Sequence, residues 1–118
     1  MLDWTNVRDA VGRLSGVLGF EVMTVQGRKV LSLKEPLGVQ STDLVSIMCN
    51  AEPVTGLNTA KGGFQLIRAE PELVCGLLGD MQLIVLRREA WLFLVLLRRC
   101  ASPATELARV VSVLSSVV

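Results

Sequence analysis

Side chains that commonly do chemistry are sparse in this chain and poorly spaced for it. There is no histidine, so the commonest general base and imidazole ligand is missing, and neither a Ser-His-Asp nor a Cys-His site can form. The three cysteines, Cys49, Cys75 and Cys100, lie far apart. Without paired thiolates or imidazoles they cannot complete a four-ligand zinc site. Lys61-Gly62-Gly63 puts its glycines after the lysine and runs into Phe64, the reverse of a phosphate-cradling loop. Glu70 and Glu72 flank Pro71 like a carboxylate pair, but acids beside a proline at a strand entrance are ordinarily solvated. These residues point away from an enzyme, from a protein-held metal and from any cofactor.

Charge is equally uninformative about a polyanionic partner. The formal net charge is +1, with Lys and Arg scattered or paired, so no field is set up to grip a phosphate backbone and nucleic acid is not expected. Arg87-Arg88 and Arg98-Arg99 could meet an acidic partner; at the ends of apolar runs they more ordinarily act as solubilising gatekeepers. An odd number of widely spaced cysteines among apolar neighbours fits buried core thiols in a reducing compartment. MLDWTNVRDAVGRL lacks the layout of a secretory signal, and the expected location is cytoplasmic.

The elements that would position any site follow from hydrophobic period. Val7, Val11, Leu14 and Leu18 recur at spacings of three and four, which predicts an amphipathic helix capped by Asp3 or Thr5 and ended at Gly16 and Gly19. FEVMTV and KVLSL on either side of Gln26-Gly27-Arg28 predict a hairpin. STDLVSIMCNAE predicts a second helix with Leu44, Ile47, Met48 and Ala51 on one face, closed at Pro53. Residues 54–70 carry conflicting signals, and FQLIRAE reads as a short helix or a strand.

From residue 71 onward, ELVCGLLG, MQLIVLRRE and AWLFLVLL predict three strands, because the runs are short, punctuated, and rich in β-branched and aromatic residues. Arg87, Arg88 and Glu89 interrupt the longest apolar stretch, so a spanning helix of about 20 residues is not expected. The last two runs are apolar on both faces and must be covered above and below. Ser102 as cap and Pro103 at the first helical position open a last helix with Leu107, Val110, Val111, Leu114 and Val118 as its stripe. The expectation is one domain over residues 1–118: a three-layer α/β/α sandwich with a mostly antiparallel sheet of about five strands. The first and last helices share a face and the middle helix takes the other. Trp4 and Trp91 are candidate interface anchors, with core packing the alternative for Trp91.

ELVCGLLG then becomes the outermost strand of a meander, with neither charge nor proline between Leu73 and Leu78 to blunt it. Either FQLIRAE covers it within the chain or a second chain pairs with it. The second alternative predicts a dimer interface of Leu44, Ile47, Met48 and Ala51 with Leu73, Val74, Cys75 and Leu77. A chain that is 51% hydrophobic with mean hydropathy +0.52 also suggests that some apolar surface meets another protein.

The order helix, hairpin, helix, three-strand meander, helix resembles the roadblock family of dynein light chains and bacterial small-GTPase partners, of profilin-like or longin-like fold. Ser15-Gly16-Val17-Leu18-Gly19-Phe20 is similar to the family's Gly-Val-x-Gly pattern. Gln26-Gly27 followed by Val30-Leu31-Ser32 is similar to its hairpin glycine and next strand. Many members have an acid where this chain has Gln26, and an Asn-Leu-Gly step that has no counterpart here. The resemblance covers nearly the whole chain and implies a non-enzymatic homodimer, or a pairing with a related chain, that binds a Ras-like small GTPase or a larger complex. A small-ligand sensing domain is the alternative, and it predicts a cavity between helix and sheet.

Overall fold

The computed structural model describes residues 3–49 and 55–117. The elements run α1 (Trp4–Arg13), β1 (Val17–Thr24), β2 (Lys29–Lys34), α2 (Ser41–Cys49), β3 (Gly56–Thr59), β4 (Gly62–Ala69), β5 (Leu73–Leu78), β6 (Met81–Arg88), β7 (Trp91–Arg98) and α3 (Pro103–Ser115). All strands join one seven-stranded sheet in the order β2-β1-β7-β6-β5-β4-β3, and every pairing is antiparallel.

The β6–β7 hairpin is the middle of the molecule, in unbroken register from Met81↔Arg98 to Arg88↔Trp91. Ile84, Leu86, Phe93, Val95 and Leu97 face one way and pack with Val7, Val11, Val110 and Leu114 of α1 and α3. Leu83, Val85, Leu92, Leu94 and Leu96 face the other and pack with Leu44, Ile47 and Met48 of α2. Strands apolar on both faces thus acquire helices on both faces, and the expected division of the three helices is observed. Asp3 caps α1 by accepting from the Thr5 amide, and Ser102 caps α3 with Pro103 in its first turn. The positions Ala51, Pro53 and Val118, expected in or beside helices, lie outside the described residues.

Three expectations need correction. The sheet has seven strands, because residues 56–69 form the β3–β4 hairpin. Gly62, at φ +126°, opens β4 opposite Thr59 as the hairpin turns. β4 leaves most of its side chains exposed, so it carries no two-faced apolar run to announce itself. Secondly, β5 is not an edge: β4 lies along one side and β6 along the other. The alternative in which FQLIRAE covers it within the chain is the one realised. Thirdly, Leu18 and Gly19 belong to β1, not to the end of α1. A Cβ on Gly19 would stand 2.5 Å from the Glu35 carbonyl oxygen, so glycine lets the β2–α2 loop cross close over the strand.

β5 is internal and Val74 has no exposed surface, so Val74→Lys is expected to unfold the protomer. An unpaired buried ammonium costs more than about 3 kcal/mol. Far-ultraviolet circular dichroism with urea titration checks this; a folded variant contradicts the placement of β5.

Candidate functional site: an open sheet face beside α3

The two helical layers do not cover equal lengths of the sheet. On the α2 side the cover reaches the far hairpin, where Leu57 of β3 and Phe64 of β4 are buried. On the other side α3 lies over β6, and the face of β4 and β5 beyond it is open. Cys75 belongs to the α1/α3 core, so by alternation Leu73 and Leu77 share its face. Both are half-buried. Opposite them on β4 are Gln65, paired with Leu77, and Arg68, paired with Cys75, and both are exposed.

A bulge shapes this strip. The register shifts between Leu66 and Arg68, leaving Ile67 as the extra residue, and Ile67 is 53% exposed. Bulges bend a strand and re-aim side chains; here one presents a large aliphatic side chain to solvent beside a guanidinium. Half-buried Pro103 and Leu107 of α3 form the other border. The result is an apolar strip of Ile67, Leu73, Leu77 and Leu107.

The electrostatics of the strip are basic with partial compensation. Arg68 pairs with Glu70 at 3.1 Å. Arg99 donates to the Met81 carbonyl at 3.0 Å and to the Gly79 carbonyl, so its charge meets oxygen dipoles instead of a carboxylate. Burial pushes the Cys75 thiol above its ordinary value of 9.0, offset in part by a hydrogen bond from Gln82 and by the charges of Arg68 and Arg99. A raised thiol pKa makes a buried cysteine inert.

Of the residues expected at a dimer interface, Leu44, Ile47, Met48, Val74 and Cys75 are buried in the protomer's own core. Ala51 lies outside the described residues. Only Leu73 and Leu77 keep accessible surface on the open face. Ile67 and Arg68 were not singled out from sequence; their signal, FQLIRAE read as a strand, was present but ambiguous. Cys100 is exposed, contrary to the expectation of a core thiol, because it follows β7 in the loop before α3. Trp4 and Trp91 meet edge to face with ring centroids 5.2 Å apart, both half-buried where α1 meets β7.

Among the described residues no group of His, Cys, Asp and Glu is arranged to hold a metal ion. A cleft of about 220 Å³ lies between Gln26 and the start of α2, lined by Ser41, Thr42, Val45 and Ser46. Another, of about 280 Å³, is lined by Pro71, Glu72, Arg87 and Glu89. Both are at the surface, and neither lies between a helix and the sheet. Among the described residues no helix is long and apolar enough to cross a membrane.

A single antiparallel sheet between a pair of helices and a lone helix defines a fold of profilin-like or roadblock-like type. The chain is similar over 97% of its length to Acanthamoeba castellanii profilin IA, covering 94% of that protein at 21% identity and a TM-score of 0.76. It is similar over 96% of its length to LokiProfilin1 in complex with rabbit actin, covering 91% of it at 11% identity and a TM-score of 0.76. A Roadblock/LC7 domain from Streptomyces avermitilis matches over 98% of the chain and 93% of its own length, at 13% identity and a TM-score of 0.55. The resemblance read from the sequence is thus met in the fold. No protein-family model and no curated protein sequence matches the chain.

The thiols provide a test of the site's construction. Cys100, being exposed, is expected to react with a thiol reagent in the folded protein, while Cys75 reacts only as the fold opens. Peptide mass mapping over time separates the two. The raised Cys75 pKa also implies a stability contribution that is complete below the unfolded value near 9.0 and is lost as pH rises past it, since the folded state holds the proton more tightly.

Proposed function

We propose that this chain is a non-enzymatic binding protein that docks an actin-type subunit on the strip formed by β4, β5 and the start of α3. The whole-length likeness to profilins carries this reading, two of the similar structures being LokiProfilins in complex with rabbit actin. The strip supplies what such docking needs: exposed and half-buried aliphatic side chains at the centre and guanidinium groups at the rim. Its partner presents an apolar ridge flanked by carboxylates. Charge of that kind speeds encounter and fixes orientation more than it adds affinity, so binding weakens with salt mainly through the association rate.

A Ras-like small GTPase is the second reading, supported by the Roadblock/LC7 likeness. Self-association has lost its main argument with the pairing of β5 on both sides. On the docking reading the free chain is a monomer, and light scattering during size exclusion is expected to give a mass near 12.8 kDa at micromolar concentration. A mass of twice that value favours the roadblock-type reading.

Monomeric rabbit actin titrated with the chain is expected to bind with a Kd of about 100 µM or tighter. Ile67→Asp is expected to weaken binding about tenfold, or about 1.4 kcal/mol, with thermal stability little changed, because the side chain is already exposed. Absence of binding to actin, together with capture of a nucleotide-loaded small GTPase, favours the second reading.

A further inference from the structure

Gln82 is a polar residue in an apolar row. Of the other residues that β6 sends to this face, Ile84 and Leu86 lie in the α1/α3 core and Arg88 donates to Ser115 at the far end of α3, yet Gln82 is also fully buried. Its amide nitrogen donates to Cys75 Sγ on β5 and to the carbonyl of Pro103, the first residue of α3, each at 3.1 Å. Its Oε1 has no partner among the described residues. A methionine of similar volume would fill the same space without a buried unpaired acceptor, so the amide is held at a cost in stability.

What the amide does is visible from the other polar contacts at this end of α3. Ser102 Oγ accepts from the Thr105 amide within the cap. Glu106 accepts from the Cys100 amide in the loop that leads into the helix. Arg109 reaches Ser15 in the α1–β1 connection. None of these holds α3 to β5 or β6, and Gln82 does so at the residue where the open strip begins. Leu77 is the cross-strand partner of Gln82, so the tie acts where β5 meets Pro103.

We infer that Gln82 is a positioning residue for the docking surface: by hydrogen-bonding the Pro103 carbonyl it sets where Pro103 and, one turn on, Leu107 stand against β5. The inference rests on the docking reading for its functional consequence, but the seating of α3 is measurable without any partner. Buried polar contacts retained at a stability cost in exchange for one defined arrangement have precedent, and activity and stability then respond in opposite directions.

The experiment compares the full chain with Gln82→Met by thermal unfolding, amide hydrogen exchange and binding to monomeric rabbit actin. Gln82→Met is expected to melt at the same or a higher temperature, to exchange amides in the first turns of α3 about tenfold faster with β7 unchanged, and to bind actin about tenfold more weakly. Cys75→Ala, which removes only the sulfur acceptor, is expected to leave the exchange of α3 as it is. Unchanged exchange in Gln82→Met overturns the inference whatever actin does, and so does equally fast exchange in Cys75→Ala, which would make the effect one of packing. Faster exchange with wild-type affinity also overturns it. If the wild-type chain does not bind actin, the docking reading fails by itself, and the exchange comparison still decides whether Gln82 seats the helix.

Discussion

The structure depends on one constraint: the β6–β7 hairpin is apolar on both faces and cannot meet water on either. Ten of its side chains are divided between two cores, and burial of that kind stabilises by roughly 1.5–3 kcal/mol for each large aliphatic side chain. Two layers of cover are therefore obligatory, and three helices among the described residues provide them. α1 and α3 together span one face, while α2, with the β2–α2 loop carrying Leu37, closes the other. The sheet's own margins are handled differently. β3 is only four residues long, and the outer edge of β2 has Lys29 and Lys34 at its ends, a usual guard against edge pairing.

Function, on this account, is a matter of where the cover stops. The α2 layer extends to Leu57 and Phe64, but α3 follows β6 and leaves β4 and half of β5 bare on its side. The bulge at Ile67 then raises an aliphatic side chain into solvent that regular pairing would place differently. An exposed apolar strip bounded by guanidinium groups is a liability for a solitary protein and an asset for one with a partner.

Buried polar groups mark the joints between layers. Glu21 has no exposed surface; it accepts from the Leu37 amide at 3.2 Å and pairs with Lys29 at the same distance, pinning the loop that crosses Gly19. Glu106 is 2% exposed and joins the approach to α3 with Arg109 at 2.9 Å. With Gln82, these residues fix how the helices and the loop sit on a sheet that apolar packing alone would hold less uniquely.

Hydrophobic period by itself determined the three helices, the first hairpin, the central meander and the side of the sheet that each helix takes, because a two-faced apolar strand or a three-four stripe admits few arrangements. The cap at Ser102 and the start of α3 at Pro103 were legible for the same local reason. Tertiary structure alone decided the β3–β4 hairpin, since a mostly exposed strand such as FQLIRA carries no burial signal until its neighbour is known. It decided as well that Leu44, Ile47, Met48 and Val74 serve the protomer's own core, and that Ile67, Leu73 and Leu77 reach the surface. Exposure depends on how far a helix extends over a sheet, and that length is set by packing between segments distant in the chain.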